Sequence, residues 1–333
     1  MLIMIIVFFD KESHLSKKAS LFYVPLLIFV YYITMLNTVW FGITSDPEFI
    51  RASLFYIYNC LVFLLILKMY SIYGNSLFHV ILYGLVVALL LELATLLRSY
   101  NLVYRSIGSF NNPNQLGYFS VLSISIFSLL AKDLKINFLF EVIVVLAVLL
   151  IVVLSLSKAA LIAILFNIIF VFFKNFKYAF SLFAVFVFIY FLTDASNSII
   201  IKLDTRLSTF GVQNDDNLIG RAYDRIWENP EYLILGAGDG LTERFTHNGI
   251  KKEIHSSFGS VLFSYGIFGF TLFFYFFYLI FKYSKKESLI YLLPSLLYGT
   301  THQGFRFTFF WILLALLVIK TSNSSSFKIS LFK

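Results

Sequence analysis

Apolar runs on the scale of a bilayer's thickness recur from one end of this sequence to the other, separated by short polar stretches. Inside hydrocarbon every backbone polar group must find its partner within the protein, so runs of this kind fold as helices. A helix needs about 20 apolar residues to cross a bilayer. Ten segments are candidates: 21–41, 50–72, 77–97, 115–131, 137–156, 158–173, 178–193, 256–282, 288–300 and 305–320. The ninth is short and contains Pro294, which predicts a kink or a tilt. Composition leaves no soluble alternative. Hydrophobic residues make up 59% of the 333 and charged residues 13%, whereas a soluble domain carries about 25% charged residues. The expected fold class is therefore an all-α polytopic membrane protein with about 10 transmembrane helices. Residues 1–193 would hold helices 1–7 with short loops, 194–255 one large outer loop carrying short helices, and 256–333 helices 8–10 and a tail.

The net charge of +8 is spread between apolar runs and forms no basic stripe, so no nucleic-acid partner is expected. With the amino terminus inside, the inner turns carry lysines, among them Lys68, Lys132, Lys135, Lys174, Lys177, Lys282, Lys285 and Lys286. The short outer connections hold only Arg51, Arg98, Arg105, Lys158 and Arg306. This asymmetry obeys the positive-inside rule and places both termini in the cytoplasm. All eight arginines fall on the outer side, Arg206, Arg221, Arg225 and Arg244 among them. The guanidinium fork binds phosphate bidentately and stays charged at any relevant pH. Two readings of the set stand: a phosphate or pyrophosphate held at the outer face, or salt bridges with the ten acidic residues of 194–255. The single cysteine, Cys60, sits in an apolar run and allows neither a disulfide nor a thiolate metal site. Residues 1–9 are apolar but too short to span, and they precede their lysines, the reverse of a signal peptide. They are expected to lie at the interface or insert in part.

The 62-residue segment 194–255 is the only long polar stretch. Loops of this length in a compact protein are usually functional or disordered. Within it, 217–229 reads as a helix ended by Pro230, and Gly236, Gly238 and Gly240 read as a flexible turn. His255 stands where the loop meets the eighth span, before Ser256 and Ser257, which suit a helix cap. A helix amino terminus disfavours positive charge, which keeps an imidazole neutral and able to accept a proton, while Glu253 opposes this. Lys158 opens the sixth span, and snorkelling to the interface accounts for it. The run Ser109-Phe110-Asn111-Asn112-Pro113-Asn114-Gln115 brings four amides to the head of the fourth span. Capping explains part of that run, and sugar hydroxyls would suit the rest. Glu92 lies within the third span, about 9 Å below Arg98. An intramembrane carboxylate is a functional candidate or half of an ion pair. No motif calls for a metal, and no cofactor is expected.

Taken together, these residues resemble the O-antigen polymerase and O-antigen ligase family of bacterial envelope glycosyltransferases. His255-Ser256, nine residues, then Gly266-Ile267-Phe268-Gly269 is similar to a family signature of histidine, a small polar residue and a paired-glycine element. Arg225, ten residues and Gly236 is similar to an outer-loop arginine–glycine spacing of the polymerases, and Arg221 follows Gly220 in a like context. Asn111 to Gly117 resembles the family's fourth-span opening, and Ser157-Lys158 its Ser-Arg element, with lysine in place of arginine. The motif match covers about 105–120, 155–160 and 220–270, while the topology match covers most of the chain.

The resemblance implies a metal-independent transferase of the GT-C type in the inner membrane of a bacterium, acting at the periplasmic face. Its donor and acceptor would be undecaprenyl-pyrophosphate-linked glycans, with membrane lipid and a chain-length regulator protein as further partners. His255 would be the general base, and Arg221, Arg225, Lys158 and Arg105 would hold the pyrophosphate. Asn111, Asn112 and Asn114 would face the glycan. Gly259, Gly266 and Gly269 would permit close helix packing around the polyprenyl tail. A ligase transferring glycan to lipid A-core shares these features and differs only in its acceptor. A flippase or transporter would show internal repeats and midplane charges, and the sequence shows neither beyond Glu92 and Glu141.

Overall fold

The computed structural model describes residues 20–98, 105–172, 201, 204–205, 208, 218–245 and 253–322. Among these the chain is helical, with no strand. In chain order the helices are α1 (Ser20–Thr44), α2 (Glu48–Tyr73), α3 (Ser76–Arg98), α4 (Pro113–Leu134), α5 (Phe138–Ser155), α6 (Lys158–Phe172), α7 (Asp224–Glu228), α8 (Ser257–Tyr283), α9 (Lys286–Leu289), α10 (Leu293–Thr301) and α11 (Thr308–Ser322). Six of them, α1 to α5 and α8, are long and apolar enough to cross a membrane. The chain is a helical membrane protein. α6 and α11 are apolar but each only 15 residues long. The expected ninth span is two pieces, α9 and α10, because Pro294 has no N–H to donate and is tolerated only in a first helical turn, where it sits in α10. The expected seventh span 178–193, residues 1–9, Arg206 and most of 194–217 lie outside the described residues.

Polar side chains set several helix ends. Asn112 accepts from the Gln115 amide at 2.9 Å and caps α4, with Pro113 in its first turn. Asn137 accepts from the Leu139 amide at 2.8 Å and caps α5. Ser256 accepts from the Gly259 amide at 3.2 Å and caps α8, as the sequence led one to expect.

The helices fall into two compact units. The first comprises α1, α2, α7, α8, α9, α11 and residues 218–245, together with 299–307 at the end of α10. In it α1 packs on α2 and α8, and α11 packs on α2 and α8. Its core is aromatic: Phe29 meets Tyr56 and Tyr265 edge-on at 5.7 and 6.0 Å, and Trp311 stacks on Phe276 at 6.4 Å. Lipid tails are as apolar as these rings, so what holds such helices together is close contact and directional ring packing.

The first unit contains a broken helix. At Gly266, φ +61° and ψ −173°, α8 is interrupted. Near the break the carbonyls of Phe263 and Ser264 accept from the amides of Ala237 and Gly238 at 2.9 and 2.8 Å. The two backbones run at bare contact. A Cβ on Gly266 would lie 2.3 Å from the Ile234 carbonyl oxygen, and one on Gly236 (φ +103°) 2.4 Å from that of Ser264. Irregular backbone is tolerated inside an apolar helix where it is buried in protein and its polar groups find partners. The glycines expected to form a flexible turn are therefore a fixed, buried segment. Residues 217–229 also differ from expectation: 218–223 is a turn, with Ala222 at φ +57°, and only Asp224–Glu228 is helical. Long-range bonds made by Arg221 and Tyr223, described below, outweigh the local helical pattern.

The second unit comprises α3 to α6 and residues 290–298. α4 packs on α3, α5 and α6. Small residues let α6 approach α4, since a Cβ on Gly117 would lie 2.7 Å from that of Ala160. Asn167 then donates to the Ser125 hydroxyl at 3.2 Å between the two helices.

Candidate functional site

The last carbonyls of a helix have no partner within it. At the end of α10 these groups organise a polar cluster in the first unit. The Thr301 carbonyl accepts from Arg221 Nη1 at 2.8 Å, and that of Thr300 from the Tyr223 hydroxyl at 3.0 Å. A cation at this end is favoured by the helix dipole. Just beyond, the His302 carbonyl accepts from the amide and hydroxyl of Ser257 at 3.2 and 2.9 Å. The 218–223 turn, the head of α8 and the end of α10 are thus tied together.

His255 sits in the middle of this cluster. Its backbone amide donates to the Arg221 carbonyl at 3.0 Å, and its side chain is exposed. Its ring lies 6.4 Å from that of His302, nearly perpendicular at 83°. Gln303 Nε2 donates to the Ile254 carbonyl at 3.2 Å, which fixes the backbone just before His255.

Arg225, four residues past Arg221, lies in α7 and is 5% exposed. Phe245 is 5.8 Å from its guanidinium. Burial lowers its pKa from the usual arginine value, and the charges of Asp224 and Glu253 oppose the shift. Among the described residues its guanidinium makes no hydrogen bond or ion pair, and Asp224 Oδ1 is likewise buried without a partner. A buried guanidinium of this kind can hold an anion.

The other arginines have other duties. Arg306 pairs with Asp239, which also accepts from the Tyr265 hydroxyl at 3.1 Å. Arg244 lies over the rings of Trp40 and Phe245 at 4.3 and 4.6 Å and donates to the Ala237 carbonyl. Burial lowers its pKa as well, opposed by Tyr232 and Asp46. Arg51 and Arg98 are exposed.

Arg105, Lys158, Asn111, Asn112 and Asn114 belong to the second unit. Arg105 donates to the Ser155 carbonyl at 3.1 Å and to Asn114 Oδ1 at 2.9 Å. The Asn112 oxygen is taken up in capping α4, while Asn111 is exposed and its amide donates to Gln115 Oε1 at 3.3 Å. Lys158 is half-buried at the first residue of α6. Glu92 is buried and accepts from the amide of Ser109 at 3.0 Å and from its hydroxyl. Its described hydrogen-bond partner is thus a serine, where the sequence suggested an arginine.

Gly266 and Gly269 are sites of close packing, but their neighbours are protein. The space beside Gly266 is filled by the backbone of Ile234 and Leu235, and that beside Gly269 by Tyr265 and Tyr32. Neither leaves room beside it for a prenyl tail. Sequence reasoning missed His302 and the pairing of Asp239 with Arg306. The available signal was the polar run Thr301 to Arg306 between two apolar segments, on the same expected side as His255. Among the described residues no group of three His, Cys, Asp or Glu side chains is placed to hold a metal ion. No model of a known protein family matches the chain, and no curated protein matches it.

Proposed function

We propose that this protein is a polysaccharide polymerase that joins undecaprenyl-pyrophosphate-linked repeat units at the periplasmic face of a bacterial inner membrane. The observation that carries the reading is an exposed His255 bonded through its backbone to Arg221, with a buried Arg225 four residues further along the chain that has no hydrogen-bonding partner among the described residues. These are the three residues on which the family resemblance rests most specifically. In this reading about ten spans cross the membrane, both termini are cytoplasmic, and 194–255 is the periplasmic loop.

His255 takes the proton of the acceptor hydroxyl as the new glycosidic bond forms, a role worth about 10²- to 10⁴-fold in rate. The bond between the donor sugar and pyrophosphate breaks, and the bonding pair leaves with the pyrophosphate. Arg225 meets the growing charge with a guanidinium already desolvated, so little reorganisation is needed. Arg221, one fork arm bonded to Thr301, positions His255 and adds positive charge beside it. Arg105, Lys158 and the Asn111–Asn114 group lie in the second unit and take no part in this step.

Deletion of the gene tests the reading. A polymerase leaves a single repeat unit capping lipid A-core. Loss of all glycan from lipid A-core would reassign the protein as a ligase, and an unchanged ladder of chain lengths would remove it from this pathway.

A further inference from the structure

We infer that His302 is the second proton carrier of this site, receiving from His255 the proton that the acceptor hydroxyl gives up. The inference rests on the proposed polymerase reading and names a positioning and relay role which that reading does not contain.

The geometry is specific to the pair. The backbone that carries each imidazole is held by bonds that link one histidine to the other's neighbours. The amide of His255 donates to the Arg221 carbonyl, while the guanidinium of Arg221 donates to the Thr301 carbonyl, one residue before His302. Ser257, two residues after His255, holds the His302 carbonyl through both its amide and its hydroxyl. The same hydroxyl accepts from the Gly304 amide at 2.6 Å. Gln303, next to His302, holds the carbonyl of Ile254, next to His255. The cross-tied backbones bring the two ring centroids to 6.4 Å, near enough for one water to reach both rings.

The direction of transfer follows from the elements that carry the rings. His255 precedes the amino end of α8, where the helix field opposes positive charge. His302 follows the carboxyl end of α10, where the field favours it. His302 Nδ1 contacts the Thr301 carbonyl. A carbonyl only accepts, so Nδ1 carries the proton and Nε2 is the basic nitrogen that can receive one. Arg221 is the charged group bonded beside the pair, its guanidinium on the Thr301 carbonyl; its charge opposes the helix field at His302, and Glu253, two residues before His255, favours a proton on His255.

The cycle balances without a co-reactant. The acceptor O–H proton goes to the His255 ring as the glycosidic bond forms, and pyrophosphate leaves with its bonding pair. His255 then passes the proton to His302 Nε2 through a bridging water, and His302 releases it to solvent. His255 is left neutral for the next acceptor.

The test uses membranes carrying the full-length protein, supplied with undecaprenyl-pyrophosphate-linked oligosaccharide extracted from the deletion strain. His302→Asn keeps a donor at the position of Nδ1 and removes the proton carrier. His255→Ala is expected to lose activity by at least about 100-fold and His302→Asn by on the order of tenfold, because water replaces a relay better than a base. Because His302 acts through His255, the double variant should be no slower than His255→Ala alone. Added imidazole should restore part of the activity of His302→Ala, which a purely structural role would not allow. An inactive His255→Ala beside a fully active His302→Asn would overturn the relay and leave the polymerase reading standing. A low His302→Asn activity that imidazole does not lift in His302→Ala, with a double variant slower still, would overturn it as well. An active His255→Ala would overturn the reading on which the relay rests.

Discussion

Removing Asp239 should be among the most damaging single polar substitutions in the first unit. The carboxylate is 13% exposed and faces the guanidinium of Arg306, itself 27% exposed. The backbone of Arg306 is held, because Asn59 bonds its carbonyl at 2.9 Å and Trp311 bonds the preceding carbonyl at 2.7 Å. Asp239→Ala therefore strands a largely buried cation, which costs about 3–5 kcal/mol when the charge has no other partner. Partial exposure of Arg306 and the nearby phenols place the expected loss near the lower end, about 3 kcal/mol. Asp239 also anchors the 236–240 segment, since its amide donates to Asn37 Oδ1 at 2.9 Å. That bond is made by backbone and survives the substitution. The assay is thermal unfolding of the purified protein in detergent, read beside its abundance in membranes. Adding Arg306→Met to Asp239→Ala removes both charges and should recover most of the loss, because two apolar side chains leave nothing uncompensated. A double variant as unstable as the sum of the singles would refute the pairing. So would an Asp239→Ala protein that melts like the wild type.

Gly266→Ala should prevent stable folding, because the new Cβ would meet backbone at 2.3 Å in a conformation that only glycine adopts readily; near-normal membrane abundance of this variant would contradict the broken helix. Arg225→Lys should lose most polymerising activity at normal abundance, since a point charge replaces a fork; polymer at the wild-type level would reduce Arg225 to a structural cation. Lys285→Cys should be invisible to an impermeant thiol reagent added outside intact spheroplasts, and labelling there would invert the proposed topology.

The long apolar runs were legible because hydropathy over about 20 residues is a property of the segment alone. α1 to α5 and α8 lie within a few residues of the segments read from sequence. The Ser256 cap was legible for the same reason, as the hydroxyl and the amide it bonds are three residues apart. What sequence did not show depends on distant partners. Gly236, Gly238 and Gly240 look like a hinge in isolation and become rigid only beside the interrupted α8. The 217–229 pattern reads as helix, yet Arg221 and Tyr223 serve carbonyls some 80 residues away. His302 carried no local mark of function. Its relation to His255 arises because Ser257 and Arg221 bring the end of α10 to the head of α8. The arginines look equivalent in sequence and part company in the structure: Arg306 is ion-paired, Arg244 lies over rings, and Arg225 is buried without a hydrogen-bonding partner among the described residues.

The central claim, that His255 activates the acceptor, is tested most directly by measuring lipid-linked intermediates in a deletion strain that expresses His255→Ala. The exposed imidazole of His255 contributes little to packing, so the variant should reach the membrane at the normal level. Arg221 and Arg225 are untouched, so the repeat unit should still bind. The expected result is loss of polymer with accumulation of the single undecaprenyl-pyrophosphate-linked repeat. Substantial polymer from a well-inserted His255→Ala protein, with no accumulated repeat, would contradict the account.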